Sequence, residues 1–284
     1  MDMTTLPATK VLSPTQVERV PPLWSQWVQH LWKVLALPLL LFLLLPIGSI
    51  FFHLTPTEIW RTLQAPQALQ ALSLSLATAT TTTGLTLFVG TPLAYLIYHR
   101  RSPLTRIIET LIELPSVLPP SVAGVALLLT FGRNGWLGQS LSLLGIQIPF
   151  TPIAVVLAQL FIASPLYVKS AALGFASIDC EIRKAAALDG ANRWQILRYI
   201  VFPLSWQAIL SGLVLTWARA IGEFGATILF AGNLPGRTQT MPVAIYIGFE
   251  TSLETALTLS AILVLISFGI LVLLKSILHA STSD

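Results

Sequence analysis

A single cysteine, Cys180, stands among 284 residues, so no internal disulfide forms and no spaced Cys/His set offers a structural zinc site. The four histidines (His30, His53, His99 and His279) are scattered, without HExxH or similar spacing. Most lie near predicted helix ends, where amphipathic side chains settle. Charge is scarce as well. Asp, Glu, Lys and Arg make up 10% of the chain, against about a quarter in soluble domains. So few charges cannot cover a water-facing surface. The phosphate-cradling turn GxxxxGK[ST] is absent, so ATP, if it drives this protein, is bound by another chain. A net charge of +4 is too small to indicate nucleic-acid binding, and its distribution matters more than its sum.

What the chain has in abundance is apolar sequence: 54% hydrophobic residues and a mean hydropathy of +0.77. Residues 1–31 are a polar, proline-containing amino-terminal segment, unlike a signal peptide, which opens with a basic stretch and a short apolar core. The first uncharged run, 34–52, has 19 residues, enough at about 1.5 Å each to cross a hydrocarbon core of about 30 Å. Five more candidate spans follow at about 71–98, 107–131, 151–168, 204–230 and 256–274. Lipid offers no partner for backbone amides, so each span is expected to be helical. The third contains Pro115, Pro119 and Pro120 and reads either as one broken helix or as two short ones. The expected fold is an all-α membrane protein of about six transmembrane helices. A membrane domain over 32–279 is followed by a short tail at 280–284.

Lys and Arg in the loops orient such a chain. With six spans, one side collects Lys10, Arg19, Lys33, Arg100, Arg101, Arg106, Lys169, Arg183, Lys184, Arg193, Arg198 and Lys275. The other collects Arg61, Arg133 and Arg237, while Arg219 lies within a span. Twelve against three predicts both termini in the cytoplasm and residues 232–250 outside. No internal repeat with matched interruptions is visible, as an inverted-repeat secondary transporter would show.

The cytoplasmic loop at 177–203 carries the most information. In SIDCEIRKAAALDGANRWQILRYIVFPL a short helix from about Cys180 to Asp189 is expected to end at Gly190, which takes a left-handed cap readily. A second helix begins near Ala191, with Trp194, Leu197 and Val201 on one stripe, and Pro203 introduces the fifth span. The product is a helical elbow presenting Ala185, Ala186 and Ala187, small enough to let another protein's surface approach. The physics alone equally allows an amphipathic elbow lying on the membrane.

This stretch resembles the cytoplasmic loop of ABC importer permeases, whose pattern is EAA, three residues, Gly, nine residues, then I-x-L-P. Ala185, Ala186, Gly190, Ile200 and Pro203 match it, and Phe202 replaces the leucine. Lys184 stands where the family has glutamate, and Glu181, one turn earlier, is a substitute. Three further runs are similar to molybdate permeases: LPSVLPPSVAGVALLLTFGRNGWLG (114–138), IPFTPIAVVLAQLFIASPLYV (148–168) and ARAIGEFGATILFAGNLPGRTQTMPVAIY (218–246). Sulfate and tungstate permeases are similar over the same regions.

The resemblance implies type I importer permease architecture in a bacterial inner membrane, with a coupling helix between spans four and five. It implies a homodimer of permeases, two cytoplasmic ATPase subunits that hold ATP and Mg, and an extracytoplasmic binding protein delivering an oxyanion, most closely molybdate. The chain itself would bind no cofactor and catalyse no covalent chemistry. Glu181, Lys184, Ala185, Ala186, Gly190, Trp194 and Pro203 would then serve the ATPase contact.

Candidates for the translocation path come from the residues themselves. They are Thr80 and Thr82 on the Ser/Thr-rich second span, the helix start exposed at Pro119, Pro120 and Ser121, and the Arg219/Glu223 pair. A broken helix turns amide N–H groups and a positive dipole end into its break, which suits an anion. Membrane threonines more often bond the carbonyl one turn back or a neighbouring helix. Arg219 and Glu223, four apart, are expected on one helix face, first as a structural pair and second as a contact for the passing anion. Among the other classes, an ion-coupled transporter needs an acidic relay, for which only Glu223 qualifies within the spans, and a membrane hydrolase needs a base beside Ser or Thr.

Overall fold

The computed structural model describes residues 23–99 and 102–280, and side chains over 31–98 and 102–276. Residues 1–22 of the amino-terminal segment and the last four residues lie outside the described residues; the rest of that segment is already helical, since the first helix starts at Leu23, ahead of the expected residue 34. Two units are distinguished, divided between Phe52 and His53. In the first, α1 (Leu23–Phe52) is a helix of 30 residues with Pro38 and Pro46 inside it. At about 1.5 Å per residue it is about 45 Å long, more than a bilayer core requires.

The second unit is helical throughout its described residues: α2 (Pro56–Gln64), α3 (Pro66–His99), α4 (Pro103–Val117), α5 (Pro120–Phe131), α6 (Gly138–Leu143) and α7 (Pro152–Ala176) come first. They are followed by α8 (Cys180–Leu188), α9 (Arg193–Ile196), a π turn at Leu197–Val201, α10 (Phe202–Leu204) and α11 (Trp206–Ile221). The chain then forms α12 (Gly225–Phe230), α13 (Met241–Thr251) and α14 (Leu253–Ala280). Among the described residues of the chain, four helices (α1, α3, α7 and α14) are long and apolar enough to cross a membrane, and the number is six if each of two bent pairs, α4/α5 and the α9–α10 run/α11, is one span.

α7 is the axis of the unit. Ala154, Val155, Ala158, Ile162, Tyr167, Ala171 and Phe175 are buried on it, against α3, α11, α5 and α12. α3 meets it with small buried side chains, among them Thr78, Ala79, Thr82, Gly90 and Ala94. Lipid is as apolar as leucine, so helices in a membrane are held by close van der Waals approach and by hydrogen bonds between them. Small residues supply the first: a Cβ on Gly90 would stand 2.9 Å from Tyr167 Cδ1, and one on Gly174 would collide with Ala208 Cβ.

Several element bounds differ from the sequence expectation. The third span is two helices at a bend of 113°, broken at Leu118–Pro119, while Pro115 sits inside α4. Ser102 caps α4 by accepting from Thr105 N–H, so this helix begins at Pro103, ahead of the expected residue 107. The fifth span is interrupted twice. The π turn and α10 bend 66° from α11 around Ser205, and α11 ends at Gly222 before α12 resumes at Gly225. Helices α2, α6 and α13 fall in segments read as loops. For α2 the signal is local: Thr55 Oγ1 accepts from Glu58 N–H (3.4 Å) and Glu58 Oε2 accepts from Thr55 N–H (2.6 Å). This is a reciprocal capping box, and these bonds hold the exposed Glu58 carboxyl below its ordinary range.

Candidate functional site

The two interior breaks meet. α5 starts at Pro120 with Pro119 as its cap and no side-chain cap bond, so its first amides are not taken by a side chain. α12 starts at Gly225 directly against it: a Cβ on Gly225 would lie 2.7 Å from Pro120 Cβ and 3.4 Å from Ser121 N. Along the same contact, a Cβ on Gly124 would stand 2.9 Å from Leu229 Cβ and 3.0 Å from Ala226 O. Two glycines therefore let two short helices touch backbone to backbone. Beneath them Ala123, Leu127, Ala154, Ala158, Ile162, Ala226 and Phe230 form one apolar cluster.

Arg219 and Glu223 are paired at this junction, with Nη1 2.7 Å from Oε2. The two do not share one helix face as expected, because Glu223 is not on α11. It lies past the cap residue Gly222, in the break itself, and the turn (Glu223 N–H to Ala220 O, 3.1 Å) brings it back beside Arg219. Its second oxygen, Oε1, accepts from Ala226 N–H at 2.9 Å and so caps α12. Glu223 is 1% exposed and Arg219 34%. A wholly buried carboxylate with an ion pair, a backbone donor and a helix start is well compensated. A guanidinium with five N–H donors and a third of its surface open has donors to spare. Phe224, between Glu223 and Gly225, stacks on Tyr246 of α13 with centroids 5.0 Å apart.

The two threonine candidates part company. Thr80 is exposed and accepts from Trp217 Nε1 on α11 (3.4 Å), two residues before Arg219. Thr82 is fully buried and donates to Gln159 Oε1 (3.1 Å) and Val156 O (3.3 Å) on α7. Gln159 Nε2 in turn donates to Thr78 Oγ1 (3.2 Å). Thr82 thus belongs to a polar clamp between α3 and α7. Gln159, the lone amide in an otherwise apolar uncharged span, went unsingled in the sequence although its solitude was the signal. Ser75 was likewise missed; its hydroxyl accepts from Met241 N–H (2.7 Å) and fixes the start of α13 on α3.

The elbow is built differently. Asp179 Oδ1 accepts from Glu181 N–H (2.9 Å) to start α8. At its end Ala191 N–H bonds Ala186 O (3.0 Å) and Gly190 N–H bonds Ala187 O (3.2 Å), with Gly190 at φ +89°. These two bonds are a Schellman cap, and the positive φ is why glycine stands there. Asn192 and Gln195 then cap α9 reciprocally, at 2.9 and 2.8 Å. No residue of α8 is buried. Glu181, Ile182, Ala185 and Leu188 lie on its open side, with Ala186 at the edge, whereas Lys184 faces the other way, beside Arg183 and Ala187. Trp194 does not share the inner stripe with Leu197 and Val201: it is exposed, and Ile196 packs inward in its place. Pro203 sits in α10, and the long helix of the fifth span begins three residues later, at Trp206. Among the described residues no group of three His, Cys, Asp or Glu side chains gathers to hold a metal.

Residues 86–276 match the family described as binding-protein-dependent transport system inner membrane component. The probable transport system permease protein NifC of Clostridium pasteurianum is 37% identical over 244 residues, 85% of each chain. The molybdenum transport system permease protein ModB of Mycobacterium tuberculosis is 37% identical over 228 residues, 80% of this chain and 86% of the relative. A probable sulfate transport system permease, cysT of Chlorokybus atmophyticus, is 31% identical over 242 residues, 85% and 83% of the two. Among solved structures, a bacterial ABC transporter that imports alginate superposes with a TM-score of 0.70 at 15% identity, over 90% of this chain and 96% of that one. That likeness is one of fold.

Proposed function

Because this chain belongs to the family of inner-membrane components of binding-protein-dependent transport systems, we propose that it is the permease through which an ATP-driven importer passes molybdate. The observation that carries the choice of anion is the identity to molybdenum permeases, 37% in the mycobacterial relative against 31% in the sulfate permease. The chain is an ABC importer permease with the type I fold. Two copies form the membrane core, two separate cytoplasmic subunits bind and hydrolyse ATP with Mg, and an extracytoplasmic protein delivers the anion. This chain holds no cofactor of its own.

In this reading the elbow is the ATPase contact. Ile182, Ala185, Ala186 and Leu188 meet the partner, Glu181 stands in for the family's glutamate, and Gly190, Trp194 and Pro203 fix the elbow's shape. Closure of the ATPases moves α8 and, through the π turn, α11, biasing the path between inward-open and outward-open forms. The junction of α5 and α12 lines that path. A dianion leaving water loses hydration worth many kcal/mol unless donors replace it. The amides at Ser121, the hydroxyl of Thr80 and the open edge of Arg219 are those donors. Glu223 holds Arg219 in place and cancels part of its charge, so the anion is bound weakly enough to leave. Thr82, Pro119 and Pro120 keep the surrounding helices in position.

The elbow and both termini lie on the cytoplasmic side. Cysteine labelling of a Cys180-free protein at Arg237 from outside and at Ser283 from inside is the expected pattern, and labelling of both from one side sinks the six-span topology. The anion is tested by uptake of labelled molybdate in vesicles holding the full complex, in competition with tungstate and sulfate. Molybdate uptake that sulfate does not suppress is expected. Uptake of sulfate in preference to molybdate overturns the assignment.

A further inference from the structure

Behind the elbow, on the side of α8 away from its open face, lies a cavity of about 670 Å³. Its walls include Tyr95 and Tyr98 from the end of α3, Arg183 and Lys184 from α8, and Arg193 from α9. Among the described residues no acidic side chain lines it and none of the three cations forms an ion pair. Three uncompensated positive charges around one cavity repel one another unless an anion joins them. Two donors there are buried without a partner among the described residues: Arg183 Nε and the Tyr98 hydroxyl. The Arg183 guanidinium lies 5.1 Å from the centre of the Tyr98 ring, which orients its fork.

The depth of this cavity follows from two observations. α3 has 34 residues, about 51 Å of helix, so its last turns project beyond a hydrocarbon core of about 30 Å. Tyr95 and Tyr98 sit on those turns, where interfacial aromatic belts form. Tyr98 also lines a second, smaller cavity whose rim carries the Lys169–Glu113 ion pair at 2.7 Å. Both members of that pair are exposed, 59% and 37%, which marks the level at which charge meets water or lipid headgroups. The cationic cavity therefore opens at headgroup level, on the membrane face that carries the elbow.

We propose that this cavity binds the phosphodiester headgroup of an anionic phospholipid, with Arg183 and Arg193 holding the phosphate and Lys184 at its edge. The arginine fork matches two phosphate oxygens, and Arg183 presents an unused Nε–H on that fork. Tyr95 and Tyr98 supply an aromatic wall with hydroxyl groups, chemistry that suits the boundary between acyl chain and headgroup. A bound headgroup would brace α8 against α3, at the hinge between the elbow and the spans. The inference rests on the chain being a membrane permease, and its test reads lipid binding, so it stands or falls separately from the identity of the carried anion.

The test uses the permease with its ATPase chains in nanodiscs of phosphatidylcholine with a minor fraction of phosphatidylglycerol. Native mass spectrometry of the released complex counts the retained lipids. The wild type is expected to retain phosphatidylglycerol over phosphatidylcholine, and the Arg183→Gln/Arg193→Gln pair to lose that preference several-fold. The Arg183→Lys/Arg193→Lys pair, which keeps charge but not the fork, should recover part of it. If the glutamine pair does not assemble, the wild type alone decides: its thermal transition should rise as phosphatidylglycerol replaces phosphatidylcholine. Equal retention by the wild type and the glutamine pair overturns the proposal. So does inorganic phosphate in phosphatidylcholine discs raising the transition as far as the lipid does, since the site would then take free anion. Loss of the ATPase chains from the glutamine pair with an unchanged lipid count overturns it in favour of an acidic protein surface.

Discussion

The helix junction and the elbow are both made of short helices, yet they are held in opposite ways. At the junction α5 and α12 have little local reason to be where they are: α5 has no side-chain cap, and α12 has six residues. Glycine against proline and the apolar cluster below position them through contacts distant in sequence, and the buried Glu223 adds one local bond, to Ala226 N–H three residues on. The elbow has no buried residue on α8, and its shape is written in adjacent positions: Asp179, the Gly190 cap and the Asn192/Gln195 box. On the proposed roles, the part that holds an anion path is rigid by packing, while the part that docks against another chain is shaped in advance by its caps. Damage should therefore spread from the first and stay local in the second.

The largest effect is expected at Arg219. Arg219→Gln leaves Glu223 buried without its charge partner, a class of change that costs about 3–5 kcal/mol for a fully buried pair. Because Arg219 is a third exposed, about 3 kcal/mol is expected. Thermal unfolding in nanodiscs reads it, and Glu223→Gln added on top should recover much of the loss, as a double-mutant cycle measures. Full stability of Arg219→Gln with uptake abolished shows instead that Arg219 serves only the anion.

Next comes Gly225→Val, which drives a side chain into Pro120 and should cost about 1–3 kcal/mol as overpacking. Unfolding and uptake should fall together. Gly190→Val meets no crowding, but it must hold φ at +89°, a cost of about 1–2 kcal/mol confined to the elbow. Thermal stability of the spans should be unchanged while ATP hydrolysis proceeds without uptake. Asn192→Ala, the smallest, removes one cap worth about 1 kcal/mol and should lower uptake per ATP only partly. If Gly190→Val instead melts the spans as Arg219→Gln does, the separation of the two regions is wrong.

The same difference explains what could be read from the sequence. Spans declare themselves by uncharged length, so α1, α3, α7 and α14 were visible, and so was the cap at Gly190, because its cause is local. The break after Ile221 was not: Gly222 and Gly225 weaken a helix there, by about 1 kcal/mol each, but membrane helices tolerate glycine, and the decisive contact, Pro120 against Gly225, is distant in sequence. Glu223 was found as a charge in an apolar run but placed on the wrong element for that reason. Gln159 and Ser75 bond across helices, and spacing along one helix does not announce such partners. Trp194 was drawn inward by its hydrophobicity, although membrane-side helices leave large apolar residues exposed as readily as they bury them.

The most direct measurement of the central claim compares two driving forces in proteoliposomes containing the permease, its ATPase chains and the binding protein. Labelled molybdate is supplied on the binding-protein side, first with ATP in the ATPase compartment and no ion gradient, then with a proton or sodium gradient and no ATP. An ABC importer permease gives uptake in the first condition and none in the second. Uptake driven by the gradient without ATP would contradict the account and make Glu223 part of an ion relay.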